Sequence, residues 1–328
     1  MTTAWLRTAF LALILGPVGL FAANPAIPEG AQPQNLGDIG AGEGPVWHPD
    51  GYLYFSGGNR ITRRDRNGAT EVYRENAGSN GLLLDPRGRL VVCEARHRRV
   101  TRTETDGTIT ILADNYHGKP FNSPNDLTID SKGRIYFSDS RYGNRDNIEM
   151  FDANGRGVEG VYRIDAPGQV TRIIAHEVDR PNGLLVSAGD AFLYVADNNN
   201  NDVGGARTLW RFTLRADGGI DPQSKKKIFD WETGRGPDGL EMDKEGRLYV
   251  AGGLNKPHPP AETADKFKGG VYVLSPGGEL LAFVAVPVDE VTNVAFGGDD
   301  WKTLFITAGG TLWSIPVTTP GRSPLNGP

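Results

Sequence analysis

Cysteine is nearly missing from this chain: a single residue, Cys93, stands among 328. One thiol excludes an internal disulfide framework and any cysteine-built metal cage. Cys93 lies in the apolar run LVVCE and reads as an inert core thiol. Histidine is scarce too, and its five copies (His48, His97, His117, His176, His258) form neither zinc spacing nor an HExxH motif. No G-x-S-x-G nucleophile elbow occurs, since Ser79 in AGSNG has the wrong neighbours, and no dinucleotide-type glycine fingerprint opens a helix. Basic charge is not in excess. The formal net charge is −5, and the cluster Arg96, His97, Arg98, Arg99 reads as a solvated turn, so no nucleic-acid partner is expected. A long apolar run exists only from about Thr8 to Ala23, behind the lone cation Arg7. Residues 1–23 therefore read as a signal peptide cleaved near Ala22 or Ala23, which implies export to the periplasm or beyond. No later segment approaches membrane-spanning length.

Glycine (44) and proline (22) are abundant and punctuate short apolar runs, a pattern of many strands and few helices. Six of these runs are copies of one unit. They begin EGPVWHPDGYLYFSG at Glu43, NGLLLDPRGRLVVCE at Asn80, NDLTIDSKGRIYFSD at Asn125, NGLLVSAGDAFLYVAD at Asn182, DGLEMDKEGRLYVAG at Asp238 and NVAFGGDDWKTLFITAG at Asn293. Each has a polar head, an apolar run, a polar turn and a strand. The turn residue follows the head by eight positions in every copy: Gly51, Gly88, Gly133, Asp190, Gly246 and Trp301. The segments between units supply further strands, such as GVYRID from Gly160, TLWRFTL from Thr208 and GGVYVLS from Gly269. Repeats of this length and strand content predict an all-β fold, a six-bladed β-propeller with four-stranded blades around a central channel, which the head residues make a metal-binding one. The expected organisation is a ring-closing extended segment at 24–40, the propeller at 41–318 and a C-terminal tail at 319–328. Closure is expected from Gln34 to Ile39 pairing with the last module, which contains TLWSIPV.

In a propeller the innermost strands line the axis, so one register of every unit forms one ring. Here that ring is expected to hold Glu43, Asn80, Asn125, Asn182, Asp238 and Asn293. Carboxylate and amide oxygens are hard ligands that suit one divalent cation, Ca²⁺ or Mg²⁺. Two carboxylates converging without a cation would repel each other and lose hydration. Turn chemistry also explains the Asn-Gly and Asp-Gly pairs, though it explains Glu43 poorly. Both explanations can hold together.

The stretches GEGPVW, FNSPNDL, RPNGL, GPDGL and VTNVAFGGDDWKTLFITAGGTLWSI resemble the gluconolactonase family, which includes regucalcin (senescence marker protein). The resemblance runs from about Gly42 to Val317 and is closest to the family's exported bacterial branch. It implies a six-bladed propeller with one catalytic divalent ion, usually calcium; Mg²⁺, Mn²⁺, Fe²⁺ or Zn²⁺ are the other candidates. It implies Glu43, Asn182 and Asp238 as metal ligands, with Asn125 on the metal or on the substrate. The expected reaction is hydrolysis of a small sugar-acid lactone, with the cation polarising the lactone carbonyl and Asp238 taking the proton of the attacking water. Substrate contacts are expected from Asn125, Asn80, Asn293, Arg141 and Tyr142. The alternatives are another metal-dependent hydrolysis, such as of phosphotriesters, and a non-catalytic sugar-binding or interaction propeller. One departure stands out: exported relatives commonly carry a histidine after the glutamate of a CEHG-like stretch, whereas Cys93-Glu94 is followed here by Ala95, with His97 two residues on. The loops Arg141 to Glu159 and Gly253 to Gly269 are expected to set specificity at the channel mouth.

Overall fold

The computed structural model describes residues 25–142 and 147–323. The segment read as a signal peptide lies outside the described residues, as does the end of the C-terminal tail. Among the described residues, helix is confined to two single 3₁₀ turns, Ala95–His97 and Ala188–Asp190. The strands form six four-stranded antiparallel sheets and one small two-stranded hairpin. The sheets are the blades, and their innermost strands are Glu43–His48, Leu82–Leu84, Pro124–Ile129, Pro181–Val186, Leu240–Met242 and Val291–Gly297. The ring closes by strand exchange: Gln34–Ala41 pairs with Gly310–Pro316, setting Gln34 opposite Ser314 and Asp38 opposite Thr311. It thereby becomes the outer strand of the sixth blade, which leaves no wide unpaired edge between first and last blades.

The apolar runs are continuous because the inner strands are buried on both faces. In the second blade, Leu90 and Val92 pack back against Tyr54 and Ile61 of the first. The alternate residues Val91 and Cys93 pack forward against Leu127, Ile129 and Phe137 of the third. A side-chain period of two thus feeds both neighbouring layers at once.

The polar turn in three units is built by its own aspartate. Asp130 accepts the N–H groups of Lys132 and Arg134 (both 3.0 Å) and the Arg134 Nε at 2.6 Å. Asp85 with Arg89 and Asp243 with Arg247 repeat the device. The residue eight positions after each head takes a left-handed conformation, with φ from 54° at Asp190 and 59° at Trp301 to 93° at Gly51. Blades four and six adopt it without glycine, at the cost that L-residues bear there.

Candidate active site

The heads gather where the chain enters each innermost strand, at one end of the channel. Asn80 N–H donates to Cys93 O (2.9 Å) and Asp238 N–H to Ala251 O (2.9 Å), so both heads sit at the same point of their sheets. The next residue reaches to the following blade: Gly81 N–H donates to Asn125 O, and Gly239 N–H to Thr292 O, both at 2.8 Å. That second bond corrects the sixth unit. The blade-six residue equivalent to Asn125 is Thr292, and Asn293 stands one place further along, in the position of Asp126. Packing agrees, since Val294, Phe296, Leu304 and Ile306 fill one layer facing the fifth blade. Leu127, Ile129, Ile135 and Phe137 do the same in the third blade, facing the second.

The ring of heads is therefore Glu43, Asn80, Asn125, Asn182, Asp238 and Thr292. The ring of next residues is Gly44, Gly81, Asp126, Gly183, Gly239 and Asn293. Four glycines leave the axis open at that level, and two side chains fill it. A Cβ on Gly239 would stand 2.0 Å from the Asn293 side chain, and one on Gly81 would stand 2.7 Å from Asp126 Oδ1. Asn293 Nδ2 donates to Glu43 Oε2 (3.1 Å), which also accepts the Gly44 N–H at 2.9 Å. Its amide faces the Asp126 carboxyl as well. Asn293 thus braces Glu43 from below the ring. Gly183 is less forgiving, because a Cβ there would meet backbone, the Asp238 carbonyl oxygen at 2.2 Å. Gly183→Ala is accordingly expected to push the Asp238 backbone out of place, costing about 1–3 kcal/mol of stability. Thermal melting and lactone turnover measured on that variant check this, and a wild-type melting temperature would show that the blades can spread freely.

The electrostatics follow from crowding acids in a narrow space. Burial raises Glu43 to about 7, against the lowering hydrogen bonds from Asn293 and Gly44 and with a further push from Glu290. Asp238 is raised well above its usual range by burial first, then by Glu43, with Arg235 opposing. Burial and then the Glu43 charge raise Asp126 to about 8. No described residue donates a hydrogen bond to the Asp238 carboxylate, and the buried Asn80 Oδ1 has no partner. Donor oxygens without donors, beside two disfavoured carboxylates, fit a hard divalent cation better than any protein group present. Glu43, Asp238, Asn80, Asn125 and Asn182 would hold it. No cluster of three or more His, Cys, Asp or Glu residues exists among the described residues, so amides must complete such a set.

The mouth above the ring is polar. Arg180 is fully buried, stacks over the Tyr142 ring at 4.6 Å and donates to Glu159 (3.4 Å) and to the Arg141 carbonyl. Tyr142 lies close enough to Asp238 that, after burial, that carboxylate is the next cause holding its phenol well above the ordinary value. Arg235, beside Asp238, is clamped by Glu262 at 3.0 and 2.8 Å and by Glu290. Glu262 belongs to the 253–269 loop, so a buried ion cluster ties that loop down as a fixed wall of the mouth. Arg141 turns its backbone N–H to Glu159, and its Nη1 reaches Asn122 O at 3.3 Å. His97 does not replace the residue after Glu94: it is exposed, with Nε2 against Asn76 O at 2.9 Å. Cys93 is buried, and burial raises its thiol well above the usual value, as suits a core residue.

Beneath Asp126 and Asn293 lies a separate cavity. Its wall is a lower ring of Val46, Leu83, Thr128, Leu185, Glu241 and Ala295, and Arg322 of the C-terminal segment closes it. None of the head side chains lines it. Sequence reasoning missed Asp126, Glu241, Thr292 and the Arg235 cluster. A signal for Asp126 existed, since four of its five counterparts are glycine.

Comparison with known proteins identifies the family and the fold. Residues 41–310 match the family described as SMP-30/Gluconolactonase/LRE-like region. A gluconolactonase from Zymomonas mobilis is 29% identical over 309 residues, covering 87% of this chain and 80% of that protein. The structure of a gluconolactonase from Xanthomonas campestris superposes with a TM-score of 0.73 at 29% identity, over 90% of this chain and 91% of that one. The calcium-binding protein regucalcin from Agrobacterium tumefaciens shares the fold, with a TM-score of 0.68 at 20% identity, over 88% of this chain and 94% of that one.

Proposed function

The chain belongs to the SMP-30/gluconolactonase/LRE-like family, and from that premise we propose that it is a lactonase, opening sugar-acid lactones with water at the head ring. The observation that carries this is the convergence of Glu43 and Asp238 with the unpartnered amide oxygen of Asn80 at one end of the channel. A divalent cation bound there, calcium by preference for so oxygen-rich a set, would supply Lewis-acid polarisation of the lactone carbonyl. The remaining work falls to the chain. Asp238 has no hydrogen-bond donor among the described residues and is poised to take the proton of a water beside it. Glu43 is held through one oxygen by Gly44 and Asn293, which leaves the other for the ion or the substrate. Asn125 and Asn182 offer amides to the substrate hydroxyls or to the ion. Tyr142, fixed by Arg180, covers one side of the mouth and excludes water there.

The buried ion pairs of Arg180 with Glu159 and of Arg235 with Glu262 and Glu290 make the surroundings of the mouth polar, which suits a hydroxylated substrate better than a phosphotriester. The test is acid release in a pH-stat from a panel of aldonic-acid lactones, with and without chelator. Hydrolysis that stops on chelation and returns with Ca²⁺ is expected. Binding of sugars without acid release from any lactone would favour a non-catalytic propeller instead.

A further inference from the structure

The basic run after Glu94 is not absorbed by the ring. Of its arginines, Arg99 is spent on Glu94 at 2.6 Å. Arg96 and Arg98 instead line a recess with Ala95, Ser123 and Arg141, beside the channel mouth. Ser123 lies two residues before the head Asn125, and its hydroxyl reaches Ala95 O at 3.4 Å, so recess and head ring share a wall. Arg98 is held rather than loose: Nη1 pairs with Glu149 at 2.6 Å and Nε donates to Phe121 O. Its Nη2 is buried without a partner. The Arg96 side chain is exposed and forms no ion pair with a described residue. Among the lining residues, the guanidinium groups of Arg96 and Arg98 outnumber the one carboxylate paired with them, Glu149, and leave the recess positive. The small Ala95 side chain leaves it open.

Resting on the lactonase reading, we infer that this recess is an anion subsite, and that the preferred substrates are lactones bearing an acidic group at the end away from the reacting carbonyl. A carboxylate, sulfonate or phosphate there would take the unpartnered Arg98 N–H and the Arg96 guanidinium as charge-assisted donors. The lactone ring would remain over the head ring. Neutral lactones leave both arginines to water.

The experiment compares glucono-1,5-lactone with its 6-phosphate and with a glucaric-acid lactone carrying a free carboxylate. About tenfold higher kcat/KM is expected for both acidic lactones, mostly through KM, with the gap closing as salt rises. Arg96→Gln, at an exposed position where folding is not at stake, should cut the acidic-to-neutral ratio to near unity. Arg98→Gln should do the same, and a ratio that falls for Arg98→Gln alone would narrow the subsite to that residue. Calorimetry with 6-phosphogluconate against gluconate reads the subsite without turnover. Equal affinity, or a ratio untouched by both substitutions, overturns the subsite even if lactones are hydrolysed. Tighter binding of the phosphate with no lactone opened keeps the subsite and removes the lactonase reading. Preference for the phosphate but not the carboxylate restricts the subsite to phosphate-like groups and overturns the general acidic class.

Discussion

Asp238→Asn is expected to lower kcat/KM for lactone hydrolysis by roughly 10²- to 10⁴-fold, the usual contribution of a positioned general base, while the protein melts no lower than wild type. The two halves of this result have one cause. Asp238 is buried, receives no hydrogen bond from a described residue, and has its charge disfavoured first by burial and then by Glu43. Removing that charge relieves the apo fold and leaves the catalytic ring without its proton acceptor. An amide keeps the size and an oxygen ligand, so the substitution also separates two roles. If the variant binds Ca²⁺ nearly as tightly as wild type yet fails to turn over, Asp238 moves the proton. If affinity and turnover collapse together, it serves chiefly as a ligand. Near-normal hydrolysis would remove it from the mechanism.

Stripping the cation should abolish turnover and leave a fold whose stability falls as pH rises. The sign follows from the carboxyl groups of the channel. In the metal-free fold Glu43 titrates near 7, Asp126 near 8, and Asp238 well above its ordinary range. Unfolded carboxyls titrate near 4. Between about pH 4 and pH 8 the folded state therefore binds more protons than the unfolded one, and stability declines with rising pH. A bound divalent ion offsets the charges that cause the decline. At about a hundredfold excess over its Kd it adds roughly 2.7 kcal/mol, some 5 °C or more in Tm. The increment from Ca²⁺ over chelator should accordingly be larger at pH 8 than at pH 5.5. Comparing the two conditions at each pH cancels every group remote from the ion. An increment equal at both pH values would mean that the ion binds away from Glu43 and Asp238.

The frame of the sixth unit shows where sequence reading stops. Counting eight residues back from Trp301 lands on Asn293, and the count holds because Trp301 does take the left-handed turn position. The strand pair in that blade runs one rung further before its five-residue turn than in the third, with Gly297 opposite Thr303 where the third ends at Ile129 opposite Ile135. The head therefore slips to Thr292, and an amide assigned to the upper ring belongs to the level beneath it. The alternation of Val294, Phe296, Leu304 and Ile306 held this information, but the turn spacing outweighed it. Arg235, Glu262 and Glu290 left no such trace. They come from three separate loops around the fifth blade, and only the folding of that blade against its neighbours brings them together.

By itself the sequence determined the number of blades, the two-residue alternation that buries them and the register carrying Glu43, Asn80, Asn125, Asn182 and Asp238. These are properties of a local unit repeated six times, and each copy reports on the others. The tertiary structure alone decided what meets across the axis. Glycines at four of six places admit Asn293 and Asp126 to the centre, Asn293 braces Glu43, and a buried ion cluster fixes the mouth beside Asp238. Contacts across a closed ring depend on distances between blades, which no pattern within a blade encodes.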